Sequence, residues 1–304
     1  MGPMTVPQVR CEHIAVVHHG ADDLSRLLAP FLRRAADERA AVMICVDAPS
    51  EARLRANLGS VCDSCFVQPA DSRYASPGLA MAALNEFVVS SMASGGSTVW
   101  SIGAIPLKGD GRDQKWIRYE QAVLAIYAAH PLRAVCLYDA ETTPVPIRDS
   151  VQRTHQSTSG QWIESTARQP GQPTVADQPA RAADLILHDP TPQTTRAALS
   201  QCFASDLSPL ALADLQLVAS ELVTNAILHG APPVEIRVWR EPTGTVLHIH
   251  DQGANPIDRY ADLRPRTGGE HGGFGLWTIG QLADSVDIDR DHDGNNVTVF
   301  LARE

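Results

Sequence analysis

The sequence predicts two domains of different class. The first is an N-terminal α/β layered domain with a mostly parallel sheet. The second is a C-terminal α+β two-layer sandwich of antiparallel strands under helices. Three observations predict this division. The length of 304 residues exceeds one ordinary domain. Short apolar runs alternate with helical periodicity through the first half, the pattern of βαβ units with right-handed crossovers. The second half instead places its long helices first and then joins strands across tight turns.

In the first half, strands are expected at His13–Val17, Ala41–Val46, Cys65–Gln68, Thr98–Ile102 and Ala134–Tyr138. Helices between them are expected at Asp22–Asp37, Ser50–Leu58, Gly78–Ala93 and Asp113–Ala129. A short helix or arm follows around Val151–Ala167. The stretch around Gln169-Pro170-Gly171-Gln172-Pro173 is rich in Gln, Ser, Thr and Pro and reads as a linker. The domains are therefore drawn at 8–168 and 184–304, with 169–183 between them.

The second half opens with an apolar run, Leu185–Leu187, and a helix at Thr194–Phe203. A longer helix spans about Pro209 to Leu228, with Leu215, Val218, Leu222 and Ile227 at the spacing of one buried face. Gly230 stops it as a C′ residue. Strands Val234–Trp239 and Val246–His250 flank the turn Glu241-Pro242-Thr243-Gly244. A helix at Gly275–Ala283 precedes strands Ser285–Asp289 and Val297–Ala302, joined at Asp293-Gly294-Asn295.

Composition excludes several function classes. An apolar share of 44% rules out wholesale disorder. A net charge of −10 disfavours direct binding to a phosphate backbone. The only lysines, Lys108 and Lys115, precede Gly109 and Trp116, so no Walker A loop is possible. No apolar run approaches the roughly 18 residues of a membrane span. Met1–Arg10 has no basic-then-apolar signal pattern. A cytoplasmic protein with no membrane anchor is expected, its six scattered cysteines free.

Three segments of the second half carry chemistry. On the long helix, Glu221, Asn225 and His229 recur every four residues and share nearly one face. A carboxamide oxygen is a hard ligand for Mg²⁺, and a carboxylate one turn away can take a proton from an attacking hydroxyl. Asp251-Gln252-Gly253 ends a strand; there a carboxylate can accept from an adenine amino group while the glycine permits close approach. Gly272-Gly273-Phe274-Gly275-Leu276 opens a helix, where exposed N–H groups and the helix dipole suit phosphate oxygens.

In this order the segments resemble the Bergerat-fold ATPases of the GHKL superfamily, which includes gyrase and the histidine kinases. Glu221 and Asn225 match the N box, Asp251 and Gly253 the adenine box, and Gly273 and Gly275 the second glycine box. The absence of a helical dimerisation hairpin and the presence of His229 near the helix end are similar to the anti-sigma-factor serine kinases. The resemblance covers about residues 184–304. It implies ATP and Mg²⁺ as cofactors, with Asn225 on the metal and Asp251 on adenine. Glu221 would be the base that prepares a serine of an anti-anti-sigma protein. Gly272, Gly273 and Gly275 would border the phosphates under a lid spanning about Asn255–His271, which carries Arg259, Arg264 and Arg266. A sigma factor is the other expected partner, and related domains pair as homodimers.

The first half is similar to the MEDS sensory domain, related to RecA-like folds. His13-Ile14-Ala15-Val16-Val17-His18, the Asp22–Asp37 helix and Val151-Gln152-Arg153-Thr154-His155 carry the likeness. It implies sensing of a small-molecule or redox signal. The whole then reads as an ATP-dependent serine kinase and anti-sigma factor under sensory control. Two alternatives are a non-catalytic ATP-binding sequestration module and an atypical sensor histidine kinase using His155 or His188.

Three smaller signals complete the reading. Cys62-Asp63-Ser64-Cys65 has redox or metal spacing but no second pair; Cys11 and His13 complete a site only if the fold brings them near. His248 and His250 share one strand face and read as a hydrogen-bonded surface pair. Asp284, Asp287, Asp289, Asp291 and Asp293 form an acidic tract, read as solvated or as a dock for a basic partner.

Overall fold

The computed structural model describes residues 11–107, 113–155, 157–159, 179–264 and 275–303. The chain divides into two compact units, Met1–Gly171 and Gln172–Glu304.

The N-terminal unit runs β1 (Glu12–His18), α1 (Gly20–Asp37), β2 (Ala41–Val46), α2 (Ala48–Leu58) and a 3-10 turn (Gly59–Cys62). It continues with β3 (Phe66–Pro69), α3 (Ala70–Arg73), α4 (Pro77–Ala93), β4 (Val99–Ala104), α5 (Gln114–Tyr127), β5 (Leu132–Asp139), α6 (Val145–Thr154) and β6 (Ser157–Ser159). Its sheet has the order β3-β2-β4-β5-β1-β6, and every neighbouring pair is parallel. Strand residues alternate between two apolar layers, as the two-residue period requires. Val16, Ile44, Ile102, Val135 and Leu137 pack against Leu24, Leu28 and Leu32 of α1 and Leu54 of α2. On the opposite side, Ala15 and Tyr138 pack with Ile147 and Val151 of α6, with Ile117 of α5 beside them.

The end of this unit differs from the sequence expectation. Of the short helix or arm expected around Val151–Ala167, the first residues close a helix that begins at Val145, and an unexpected strand, β6, pairs with β1; residues 160–167 lie outside the described residues. Two prolines, Pro144 and Pro146, concealed the helix start, yet proline is tolerated in a first turn, where N–H groups lack helical partners anyway. The Ser157-Thr158-Ser159 strand has no apolar alternation to announce it.

The C-terminal unit runs β7 (Leu185–His188), α7 (Pro192–Phe203), α8 (Pro209–His229), β8 (Glu235–Glu241), β9 (Gly244–Asp251), α9 (Gly275–Leu282), β10 (Ser285–Arg290) and β11 (Asn295–Ala302). Its sheet order is β10-β11-β9-β8-β7, antiparallel throughout. Leu199 and Phe203 of α7, Leu215 to Ala226 of α8 and Ile279 of α9 share one core with Ile236, Val238, Leu247, Ile249, Val297 and Val299 of the sheet. Helices thus cover one sheet face, forming the expected α+β sandwich.

Caps set the helix starts. Thr191 and Thr194 form a reciprocal capping box ahead of α7. The Ser208 hydroxyl accepts from the Ala211 N–H ahead of α8. Each such cap satisfies donors that the first helical turn leaves unpaired, at about 1 kcal/mol apiece. By length and mean hydropathy α8 is able to cross a membrane, which the search for unbroken apolar runs did not anticipate. Asp214, Gln216, Glu221 and Asn225 interrupt it, and its buried face supplies the domain core.

Candidate functional site

The last turns of α8, the end of β9 and the start of α9 meet around one cavity of about 630 Å³. That volume suits a nucleotide-sized ligand. Asn225, His229, Asp251 and Leu276 line it, as do Asn255 and Asn295. The four-residue spacing on α8 puts Asn225 and His229 on the cavity side, while Val218 stays in the core and Leu222 and Ala226 belong to both, closing the cavity's apolar floor.

Glu221 sits beside the cavity rather than in its wall. Its carboxylate and the Asn225 amide close on the first residue of α9: a Cβ at Gly275 would stand 2.7 Å from Glu221 Oε2 and 3.1 Å from Asn225 Nδ2. Only a residue without a side chain permits that approach. Asn225 Nδ2 is buried with no hydrogen-bond partner among the described residues. A buried amide left in that state is costly in a finished structure and fits a site that takes a polar ligand.

Asp251 is 5% exposed and held in place. Its Oδ1 accepts from the Gly253 N–H at 2.7 Å and from Asn295 Nδ2 at 3.2 Å. Asn295 opens β11 directly opposite Asp251 in the antiparallel register. Its amide also reaches the Asn255 carbonyl at 3.1 Å, and its Oδ1 accepts from Arg290 at 3.1 Å. Gly253 serves close packing: a Cβ there would lie 2.6 Å from Asp251 Oδ1.

Gly230 corrects an expectation. It caps α8 at φ −92°, ψ −157°, so it is not a left-handed C′ glycine. A Cβ at Gly230 would lie 2.5 Å from the Asp251 carboxylate, and contact with that side chain is what excludes larger residues.

Gly272, Gly273, Arg266 and His271 lie outside the described residues. Of the lid arginines that are described, Arg264 lines the cavity and Arg259 is not among its lining residues. Asn295 escaped the sequence reading because it was assigned to the turn; the Asx-type turn instead belongs to Asp291, whose Oδ1 accepts from the Asp293 and Gly294 N–H groups. Counting register outward from that turn places Asn295 across from Asp251. A hydrogen bond from the Asn296 amide, aided by those from the Asp293 and Gly294 N–H groups, holds the Asp291 carboxyl down at about 2. Part of the acidic tract is therefore turn architecture.

His248 also departs from expectation. It is 4% exposed, with Nδ1 3.0 Å from Thr298 Oγ1, so it is a core residue rather than half of a surface pair. Burial, aided by Arg237, pushes its pKa down to about 4. His250, on the same strand face, is half-buried.

In the N-terminal unit, Cys62 and Cys65 are both free. Their thiols lie against the Leu54 and Val61 carbonyls at 3.8 and 3.4 Å. Burial pushes Cys65 up to about 11, which keeps it protonated. His13 does not complete a site with them; it meets Glu120, Cys136 and His155 instead.

An antiparallel sheet under helices, with an asparagine-bearing helix, a strand-end aspartate and a glycine-started helix beside one cavity, makes the C-terminal unit an α+β sandwich with a built pocket. Comparison with known families agrees. Residues 189–301 match the family described as histidine kinase-like ATPase domain. Residues 12–156 match the family described as the methanogen/methylotroph, DcmR sensory domain, MEDS. The two matches fall on different units of the chain, one on each. Among solved structures, the NMR structure of the histidine kinase domain of the E. coli osmosensor EnvZ is similar at 10% identity and a TM-score of 0.25, covering 42% of this chain and 93% of that one. No curated protein matches the chain.

Proposed function

We propose that the C-terminal domain binds ATP with Mg²⁺ and transfers the γ-phosphoryl group to a serine of a partner protein, under control of the N-terminal sensory domain. The observation that carries this reading is the convergence of Glu221, Asn225 and Gly275 beside a cavity that Asp251 also lines.

Asn225 and neighbouring oxygen donors suit Mg²⁺, a hard cation that would neutralise charge on the phosphates. Asp251 accepts from the adenine amino group. Glu221 takes the proton from the serine hydroxyl as its oxygen bonds to the γ-phosphorus and the bond to the ADP oxygen breaks. The sequence order of motifs supports an anti-anti-sigma protein as the phosphorylated partner and a sigma factor as the sequestered one. Use of ATP supports a cytoplasmic setting, and a homodimer follows the habit of related domains.

The competing autokinase reading loses one of its two histidines. The His155 side chain is fully enclosed against Glu120, closed to any phosphoryl donor. Its other histidine, His188, ends the strand β7, with no helical dimerisation module around it among the described residues.

The test uses radiolabelled ATP, the full chain and a candidate anti-anti-sigma protein. Label should reach the partner and vanish with Glu221→Ala. Transfer unimpaired by that variant overturns the role given to Glu221. Tight ATP binding with no transfer to any partner supports sequestration instead.

A further inference from the structure

Four side chains capable of metal ligation converge inside the N-terminal unit. His13 stands on β1, Glu120 on α5, Cys136 on β5 and His155 just after α6. Their ligand atoms all lie within 4.8 Å of one another, and it is the one such group found among the described residues. The sheet register explains half of it. His13 pairs with Ala134 and Ala15 with Cys136, so His13 and Cys136 are diagonal neighbours on one sheet face. α5 brings Glu120 down onto that face, and the end of α6 brings His155.

The geometry is that of a closed donor set. His13 Nε2 is 2.7 Å from Glu120 Oε2 and 3.2 Å from Cys136 Sγ. His155 Nε2 is 3.3 Å from the same carboxylate oxygen, and Cys136 Sγ is 3.1 Å from it. A tetrahedral zinc ion with bonds of about 2.0–2.3 Å separates its ligand atoms by roughly 3.3–3.8 Å, so small outward movements make room. The imidazoles of His13 and His155 lie 4.0 Å apart between centroids, as two ligands of one ion can.

A second observation points the same way. His155 Nδ1 is 3.0 Å from the Val151 carbonyl oxygen. A carbonyl only accepts, so Nδ1 donates there, and in the neutral ring Nε2 carries the lone pair that faces the cluster. That backbone-fixed tautomer is the usual support of a metal-binding histidine.

We propose that His13, Glu120, Cys136 and His155 bind one divalent transition-metal ion of the zinc class. Nitrogen, oxygen and sulfur donors together suit zinc better than magnesium or calcium. Charge also balances: neutral imidazoles, one carboxylate and one thiolate offset a dication in an interior where net charge is costly. Binding forms the metal–sulfur bond and releases the Cys136 thiol proton to solvent. Four protein ligands leave no open position, so the ion is structural. It ties β1 to β5, α5 and the chain beyond α6 across a sequence separation of 123 residues between His13 and Cys136. No residue of the ATP reading takes part, so either can fail alone.

The test uses the full chain, purified without a histidine tag and without nucleotide. Metal content is measured after gel filtration, and the chelator-stripped protein is then titrated with Co²⁺. The expected result is one ion per chain, with a thiolate-to-cobalt charge-transfer band and the strong visible bands of four-coordination, displaced by Zn²⁺. Cys136→Ser should abolish the charge-transfer band, and His155→Gln should weaken binding by at least about tenfold. A folded wild-type chain that takes up neither ion overturns the proposal, as does a cobalt spectrum unchanged in the Cys136→Ser protein. Should a variant not fold, the wild-type titration decides by itself.

Discussion

The first residue of α9 presses on the last turns of α8: Gly275 leaves no room for a Cβ against the Glu221 carboxylate, 2.7 Å away. Gly275→Ala should push Glu221 and Asn225 out of position without disturbing the sandwich core. Displacements near 1 Å in reacting groups cost about 100-fold in rate, so phosphoryl transfer should fall by that order while the circular dichroism spectrum holds. A variant with normal turnover removes the need for this close approach.

Asp251→Asn should weaken ATP binding by about 1–3 kcal/mol, the range for leaving a buried hydrogen-bonding group mispaired. Calorimetric titration reads it directly. No change in affinity would falsify the adenine role.

Asn295 braces the same carboxylate through its amide, and also bonds the Asn255 carbonyl and Arg290. Asn295→Ala should lower stability by about 1–3 kcal/mol in denaturant unfolding, with weaker nucleotide binding alongside. Affinity unchanged in a destabilised variant confines Asn295 to a structural role.

His248 gives the C-terminal domain a pH dependence of defined sign. Its folded pKa, down at about 4, lies below the ordinary 6.5. Between those values the unfolded chain binds the proton and the folded chain does not. Its contribution is complete above pH 6.5 and is lost as pH falls toward 4, by about 3 kcal/mol at most. Scanning calorimetry on His248→Gln should show a smaller loss of unfolding temperature between neutral and mildly acidic pH. An identical loss in both proteins assigns the dependence elsewhere.

The sequence was most legible where periodicity and chemistry coincide. β2 is found over the same residues as expected, Ala41–Val46, because its apolar run is dense in β-branched residues and stops at Asp47. The Glu221–Asn225–His229 spacing placed two of its members on a cavity wall because helical geometry fixes them. What escaped reading depends on pairing between distant segments. Asn295 matters through its register with Asp251, and Glu120 and Cys136 matter because α5 and β5 bring them to His13. Neither Glu120 nor Cys136 stands in a local motif. β6 was hidden because its three residues, Ser157-Thr158-Ser159, carry no apolar alternation. Gly230 was recognised as the helix stop, but its close packing on Asp251 was not legible, since Asp251 lies on another element.

The brace around Asp251 bears on discrimination among purines. One carboxylate oxygen is committed to the Gly253 N–H and the Asn295 amide; among the described residues Oδ2 has no partner. An ionised oxygen can only accept. On the proposed reading it welcomes the exocyclic amine at position 6 of one base and repels the carbonyl oxygen that guanine carries there. Because the brace already holds the carboxylate, it cannot easily turn away to tolerate the mismatch. Selectivity for one triphosphate over the other thus follows from how firmly a single side chain is held.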